Sequence, residues 1–345
     1  MADDLKELVF DFNKLIIDPR FDETFKEVSK LEVSLPNYQD NIGYALEDLV
    51  FSSPDLVTPL SEVKSNKLDP QNGINLIQTG IPICAYDEST IKFQSLEGSA
   101  YFSSHSLVLL DQSDYLPVNY VTFYFYTKSK DIVKKSKYIK YSVEPEMDAK
   151  RDYIKDRIIF LQKATPAKSL LLIDGPLIGG DVYTYMIRSI QEFHKKRIIP
   201  IFFVKNSSSN LVTDNIKNLN GKYNSDMHWS YNFLAKSQRT NFFTYRDRVN
   251  PDNAKVFCYL KSFELSPQRI EMQVETFRNY KNIINDVMDL AYYFILVQGN
   301  SFNPQVRPIA IAEKYARETL KLINVYKLIK EVGIIPTMNE RRFGR

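Results

Sequence analysis

The chain has 345 residues, 44% of them hydrophobic and 25% charged, with a formal net charge of +3. That composition fits a soluble globular protein of one large or two modest domains, and a near-neutral total neither demands nor forbids a nucleic-acid partner. No apolar run is long enough for a membrane-spanning helix, the three histidines and two cysteines lack zinc-ligand spacing, and neither G-x-x-x-x-G-K-[ST] nor G-x-G-x-x-G occurs, which excludes a helical membrane protein, a zinc enzyme and a P-loop ATPase.

Residues 1–75 are expected to form a helical N-terminal region. Leu5, Leu8, Val9, Phe12 and Leu15 share one face, "ALEDLVFSS" continues the pattern, and such faces ordinarily cover a core. The acidic start "MADDLKELVF" is unlike a secretion signal, and Cys84 and Cys258 lie inside apolar runs. Both features predict a cytoplasmic protein with free thiols. "GIPICAYDEST" then predicts a strand from Ile81 to Tyr86 that ends at Asp87. "SAYFSSHSLVLLD" and "NYVTFYFYTKS" add two more strands, making an antiparallel meander. A helix is predicted over about 147–164. "SLLLIDGPLIGG" follows as a buried strand closed by an Asp-Gly turn at Asp174. A further helix, "DVYTYMIRSIQEFHKKR", and a strand, "IIPIFFVKN", lead to Lys205. Beyond a polar stretch come a helix around "DMHWSYNFLAKS", a hairpin from "AKVFCYLKSF" and "PQRIEMQVE", and two C-terminal helical segments.

This order predicts an α/β protein with an RNase H-like mixed sheet flanked by helices, carrying helical N-terminal and C-terminal additions. The division is 1–75, 76–320 for the sheet domain, and 321–345 for a C-terminal helix and tail. In that order the first and fourth strands are neighbours, so Asp87 and Asp174 come together. Two carboxylates that close repel unless a cation lies between them, and their oxygens suit Mn²⁺ or Mg²⁺. A third acid is expected from the preceding helix, where Asp152 and Asp156 share a face. Asp156 is nearer Asp174 in sequence and is preferred; on either residue the plainer reading is a solvated helix charge. Lys205 would hold a phosphate or a water near the metal, or simply leave the sheet as an ordinary lysine. Asp226, Arg239, Tyr259, Lys261 and Arg269 are polar residues in or beside apolar segments, and the cations among them are natural phosphate contacts.

These blocks, in this order, resemble the NurA nuclease family over roughly residues 80–320. "ICAYDES" is similar to the family's first acidic motif and "LLLIDGPLIGG" to its second. "IIPIFFVKNSSS" resembles the strand with its lysine, "DMHWSYNFLAKSQRTNFF" a segment with an acid and a later arginine, "VFCYLKSFELSPQRIEM" the hairpin, and "NPQVRPIAIAEKYARET" the C-terminal helix. The resemblance implies a Mn²⁺-dependent DNA nuclease, exonucleolytic from 5′ ends and able to cut single strands. It further implies a homodimer that docks on a HerA-type hexameric ATPase, in DNA end processing or anti-phage defence. Asp87, Asp156 and Asp174 would hold the metal, Lys205 would assist, and Arg239, Tyr259, Lys261 and Arg269 would track DNA. The chain departs from the pattern at Glu88, where glycine is usual, and at Pro176. It departs again in offering an aspartate for the usual helix glutamate, and at Glu313, near the place of a frequent histidine. Those departures also allow a non-catalytic RNase H-like subunit that grips DNA or serves as a scaffold; a PIWI-type module would need a guide 5′-phosphate pocket, which is not evident.

Overall fold

The computed structural model describes residues 20–31, 45, 48–50, 56–111, 114–134, 136–178, 184–335 and 337. Leu5, Leu8, Val9, Phe12 and Leu15 lie outside them. Helix α1 (Arg20–Ser29) belongs to a separate N-terminal unit. The remaining elements are β1 (Val57–Pro59), β2 (Ser65–Lys67), α2 (Pro70–Gln78), β3 (Ile83–Gln94), β4 (Ser99–Asp111), β5 (Asp114–Thr127), α3 (Lys130–Val133), β6 (Ile139–Tyr141) and α4 (Pro145–Ala164). They continue with β7 (Leu170–Asp174), α5 (Thr184–Lys195), β8 (Ile199–Val204), α6 (Asp226–Phe233), β9 (Gln238–Thr240), β10 (Phe243–Arg246), β11 (Ala254–Lys261) and β12 (Gln268–Gln273). The chain closes with α7 (Val274–Asn279), α8 (Ile284–Gln298), α9 (Arg307–Ile323) and α10 (Val325–Glu331).

The described strands form one mixed sheet ordered β1-β10-β11-β12-β8-β7-β3-β4-β5-β6, with β2 and β9 off this path. β3, β4 and β5 are the expected antiparallel meander. β7 runs parallel to β3 on its other side, and β8 parallel to β7. Three readings change. Two short strands, β1 and β2, stand where the apolar pattern reads as helix, because each pairs with a distant strand, β10 and β9. β3 does not stop at Asp87: it runs on to Gln94, zipped to β4 throughout, and Asp87 pairs with Ser106. The last helical segment breaks at Asn324, which takes a left-handed conformation (φ 51°) and whose side chain caps α10 by accepting from the Lys327 N–H.

Strand alternation divides the core into two. Ile83 and Ala85 of β3, Leu170 and Leu172 of β7, and Ile199, Ile201 and Phe203 of β8 pack against α8 and α9. Cys84 and Tyr86, Leu171 and Ile173, and Phe202 pack against α4 and α5. Because side chains alternate faces, Asp87, Asp174 and Lys205 continue the odd and even series that point toward α8 and α9. Helix α4 covers the opposite face.

Candidate functional site

β7 is buried along Leu170–Ile173, and Gly175 beyond Asp174 takes φ +93°. That left-handed turn is glycine's province, and it frees the Asp174 side chain at the end of the strand. The Asp174 carbonyl accepts from Arg157 Nη2 at 2.7 Å, so α4 steadies the turn from behind. Asp87 lies one residue past Tyr86, the last β3 residue paired with β7, and its Oδ1 accepts from the Glu88 N–H at 2.7 Å. Lys205 follows the last residue of β8.

The three strands deliver their polar ends to one place. Lys205 Nζ lies 3.0 Å from Asp174 Oδ1, 3.9 Å from Asp87 Oδ2 and 3.8 Å from Glu313 Oε2. Glu313 comes from α9, beside its buried stripe of Ile309, Ala312 and Ala316, and also pairs with Arg317, which is largely exposed. Burial, and then the nearby Asp174 and Glu88, push the Asp87 carboxyl up to about 9. For Lys205 burial opposes the charge, but Asp174, Asp87 and Glu313 together hold its pKa above the ordinary lysine value.

Glu313 thus supplies the third carboxylate, and Asp156 does not. Asp156 lies on α4, across the sheet, where burial and Asp152 raise its pKa while Tyr124 and the lysines Lys140 and Lys155 oppose the rise. Asp152 accepts from Tyr126 Oη at 2.7 Å and pairs with Lys140 at 2.7 Å. Glu88 alternates with Asp87 and faces the same reverse side. There it lines a cavity of about 480 Å³ together with Tyr101, Tyr124 and Tyr153.

The residues expected to track DNA occupy the interior instead. Tyr259 is fully buried, and its hydroxyl donates to Asp226 Oδ2 at 2.8 Å, so its ring offers no face to a base. Arg269, 5% exposed, donates to Glu271 through Nε and to Ser207 and Ser209 through Nη1. Arg239 donates to the Thr240 carbonyl and to Asn285. Lys261 reaches the Tyr231 carbonyl and Glu264. Asp226, fully buried, accepts from the Val212 and Thr213 N–H groups and from Tyr259, and burial raises its pKa against those bonds. Glu271, which the sequence reading passed over, accepts from Lys255, Arg269 and the Leu177 N–H, three residues past Asp174.

Among the described residues no group of three His, Cys, Asp or Glu is set to share one ion; the Lys205 amino group stands between the carboxylates. The donor set nonetheless fits a hard divalent cation. It is all oxygen, it carries three carboxylates against one lysine, and burial together with the neighbouring Asp174 and Glu88 raises the Asp87 pKa.

Fold and site define the class: a mixed α/β protein of RNase H-like fold, with acids from two adjacent parallel strands and a C-terminal helix. Residues 155–317, which include Asp174, Lys205 and Glu313, match the NurA domain, and the match supports assignment of the chain to the NurA family. Among solved structures the chain is similar to the NurA nuclease from Sulfolobus solfataricus, at 12% identity over 93% of this chain and 100% of that one, with a TM-score of 0.48. It is also similar to a NurA structure with manganese (9% identity, 89% and 97% covered, TM-score 0.36). A third is an endonuclease V from Ciona intestinalis in complex with an inosine-containing DNA (13% identity, 89% and 100% covered, TM-score 0.34). No curated protein matches.

Proposed function

We propose that this protein is a NurA-like, divalent-metal-dependent DNA nuclease. The observation that supports this reading best is the convergence of Asp87, Asp174 and Glu313 on Lys205 where adjacent parallel strands part. Like charges gathered this closely cost stability, and they are useful where a dication and a phosphodiester are to be bound.

In this reading Asp87, Asp174 and Glu313 would hold Mn²⁺ or Mg²⁺. When bound, the ion supplies Lewis acidity toward the phosphate and lowers the pKa of water. Lys205, charged and only partly exposed, neutralises the scissile phosphate and orients the attacking water by hydrogen bonding. Arg157, through the Asp174 carbonyl, fixes the direction of that carboxylate. Arg317 engages Glu313 Oε1 and leaves Oε2 on the side of Lys205. The family assignment extends the proposal to 5′-end exonuclease and single-strand endonuclease activity in a cytoplasmic homodimer. Its partner would be a HerA-type hexameric ATPase, in DNA end processing or defence against phage.

The test is cleavage of 5′- and 3′-labelled DNA in Mn²⁺, Mg²⁺ and EDTA, with and without such an ATPase. Wild-type protein is expected to cleave only with a dication, and Asp174→Asn to lose cleavage while remaining folded. Full activity in Asp174→Asn, or in EDTA, would sink the proposal.

A further inference from the structure

Where β2 pairs with β9, a pocket of about 390 Å³ opens between Ser61, Asn66, Arg239, Asn241, Lys281 and Asn285. Two of its lining residues are cations and none is an acid. We propose that this pocket binds the phosphate group of a phosphate ester, at a site of its own. Arg239 pairs with Leu260 of β11, and β12 and then β8 follow in the sheet. Three strand spacings, about 14 Å, therefore separate it from the strand that leads to Lys205.

The unbalanced charge carries the argument. Arg239 is 8% exposed, and burying a guanidinium is costly unless an anion accompanies it. Lys255 and Arg269, also buried, share Glu271, and Lys261 pairs with Glu264. Arg239 has no such carboxylate among the described residues. It donates to neutral oxygens instead, from Nη1 to the Thr240 carbonyl at 2.9 Å and from Nη2 to Asn285 Oδ1 at 2.7 Å. Asp289, whose charge it feels, gives its oxygens to the Asp69 N–H and to Asn72. Glu62, next to Ser61, is paired with Lys64. Lys281 is exposed and forms no ion pair among the described residues. Two positive charges thus face one pocket with no anion in its walls.

Hydrogen-bonding capacity points the same way. Two bonds occupy Arg239, and a guanidinium has five N–H groups to give. Asn285 accepts through Oδ1, which leaves its NH₂ group to donate. Ser61 Oγ accepts from Asn241 Nδ2 at 2.7 Å, which leaves its own proton to give. Asn241 is fixed by Ser61, the Glu62 carbonyl and Asn66. The remaining donors come from the segment before β2, from β9, from the turn before α8 and from α8 itself. Donors converging from four segments suit a tetrahedral anion, each of whose oxygens accepts, better than a planar carboxylate. A phosphate fills only part of the volume. Leu60, Phe242, Phe277 and Ile284 line the rest and offer an apolar wall to the organic group that carries it. The Arg239 guanidinium lies over the Phe242 ring at 4.8 Å, and Phe277 packs edge-on to that ring at 5.2 Å. The buried cation is therefore held in place before a ligand arrives.

The experiment is isothermal titration of the full chain with inorganic phosphate, at ionic strength matched with chloride. EDTA is present so that no metal recruits phosphate to the carboxylates. Binding is expected, and Lys281→Ala should raise Kd about tenfold, the loss of one charge-assisted hydrogen bond. Because Lys281 is exposed, the phosphate-free Tm of that variant should match wild type. Phosphate should raise Tm in wild type and raise it less in Lys281→Ala. Arg239→Gln should abolish binding; if it fails to fold, the Lys281→Ala titration decides alone. A deoxynucleoside monophosphate and an oligodeoxynucleotide without terminal phosphates are titrated in the same way. Tighter binding of the first assigns the pocket to free nucleotides, and tighter binding of the second, weakened by Lys281→Ala, assigns it to the backbone of a strand. Failure of all three probes to bind, or a Kd that Lys281→Ala leaves unchanged, overturns the pocket and leaves the carboxylate reading intact.

Discussion

Glu313→Gln removes one carboxylate from the group around Lys205 and keeps the side chain's size. Lys205 Nζ stands 3.8 Å from Glu313 Oε2, where two unit charges attract by about 4 kcal/mol at an effective dielectric constant of 20. Both side chains are 28% exposed, and Lys205 keeps Asp174 and Asp87, so the net loss of stability is far smaller, about 1 kcal/mol. The catalytic cost is larger, because a charge aimed at the reacting phosphate or its cation is typically worth about 10²–10³ in rate. Asp156→Asn is the matched control: a buried carboxylate is replaced by its near-isostere on the reverse face, and its rate should stay within about threefold of wild type. Single-turnover cleavage of labelled DNA at saturating Mn²⁺ compares the two. A Glu313→Gln protein at wild-type rate, or an Asp156→Asn protein that loses as much, would refute the argument from strand alternation.

Lys205→Met leaves three carboxylates facing one another without their cation and should lower metal-free stability by about 2 kcal/mol, less than a fully buried pair would cost. Melting in EDTA and in Mn²⁺ should show the ion raising Tm more in this variant than in wild type. Glu271→Ala strips the partner from Lys255, 3% exposed, at 2.5 Å and should cost about 3–5 kcal/mol in urea unfolding. His105, fully buried, has its pKa lowered from 6.5 to about 3, first by burial and then by Arg157. The unfolded chain therefore binds more protons between those values, so stability is complete above pH 6.5 and falls as pH drops toward 3, by at most about 5 kcal/mol. His105→Gln should flatten that acid limb in pH-dependent unfolding; an unchanged slope would show that His105 is not its source.

Asp174 was legible because "LLLID" ends an unbroken apolar run with a turn signal, and Lys205 because "IPIFFVK" does the same. Period-two alternation also places both on one sheet face. What the sequence left open is which helix covers that face. α4 precedes β7 directly, and proximity in sequence favoured Asp156, but α4 packs against the even-numbered residues of β3, and α9 crosses the other side. The signal for Glu313 was its place beside the apolar stripe of α9, where an acid lies next to the sheet rather than in solvent. Lys261 and Arg269 read as phosphate contacts because part of what holds them comes from far along the chain: the Tyr231 carbonyl for Lys261, and Ser207 and Ser209 for Arg269. The warning was β11 itself: "AKVFCYLK" is buried from end to end, and a charge inside such a strand survives only if it is paired.

The place of Glu313 has a consequence for the order in which the site is made. Asp87, Asp174 and Lys205 leave the ribosome well before α9. The third carboxylate arrives only when a helix from far along the chain crosses β3 and β4 and docks. Until that helix docks, two acids and one lysine are all the site can hold, and its full set of charges is complete only when α9 closes over the core beneath it.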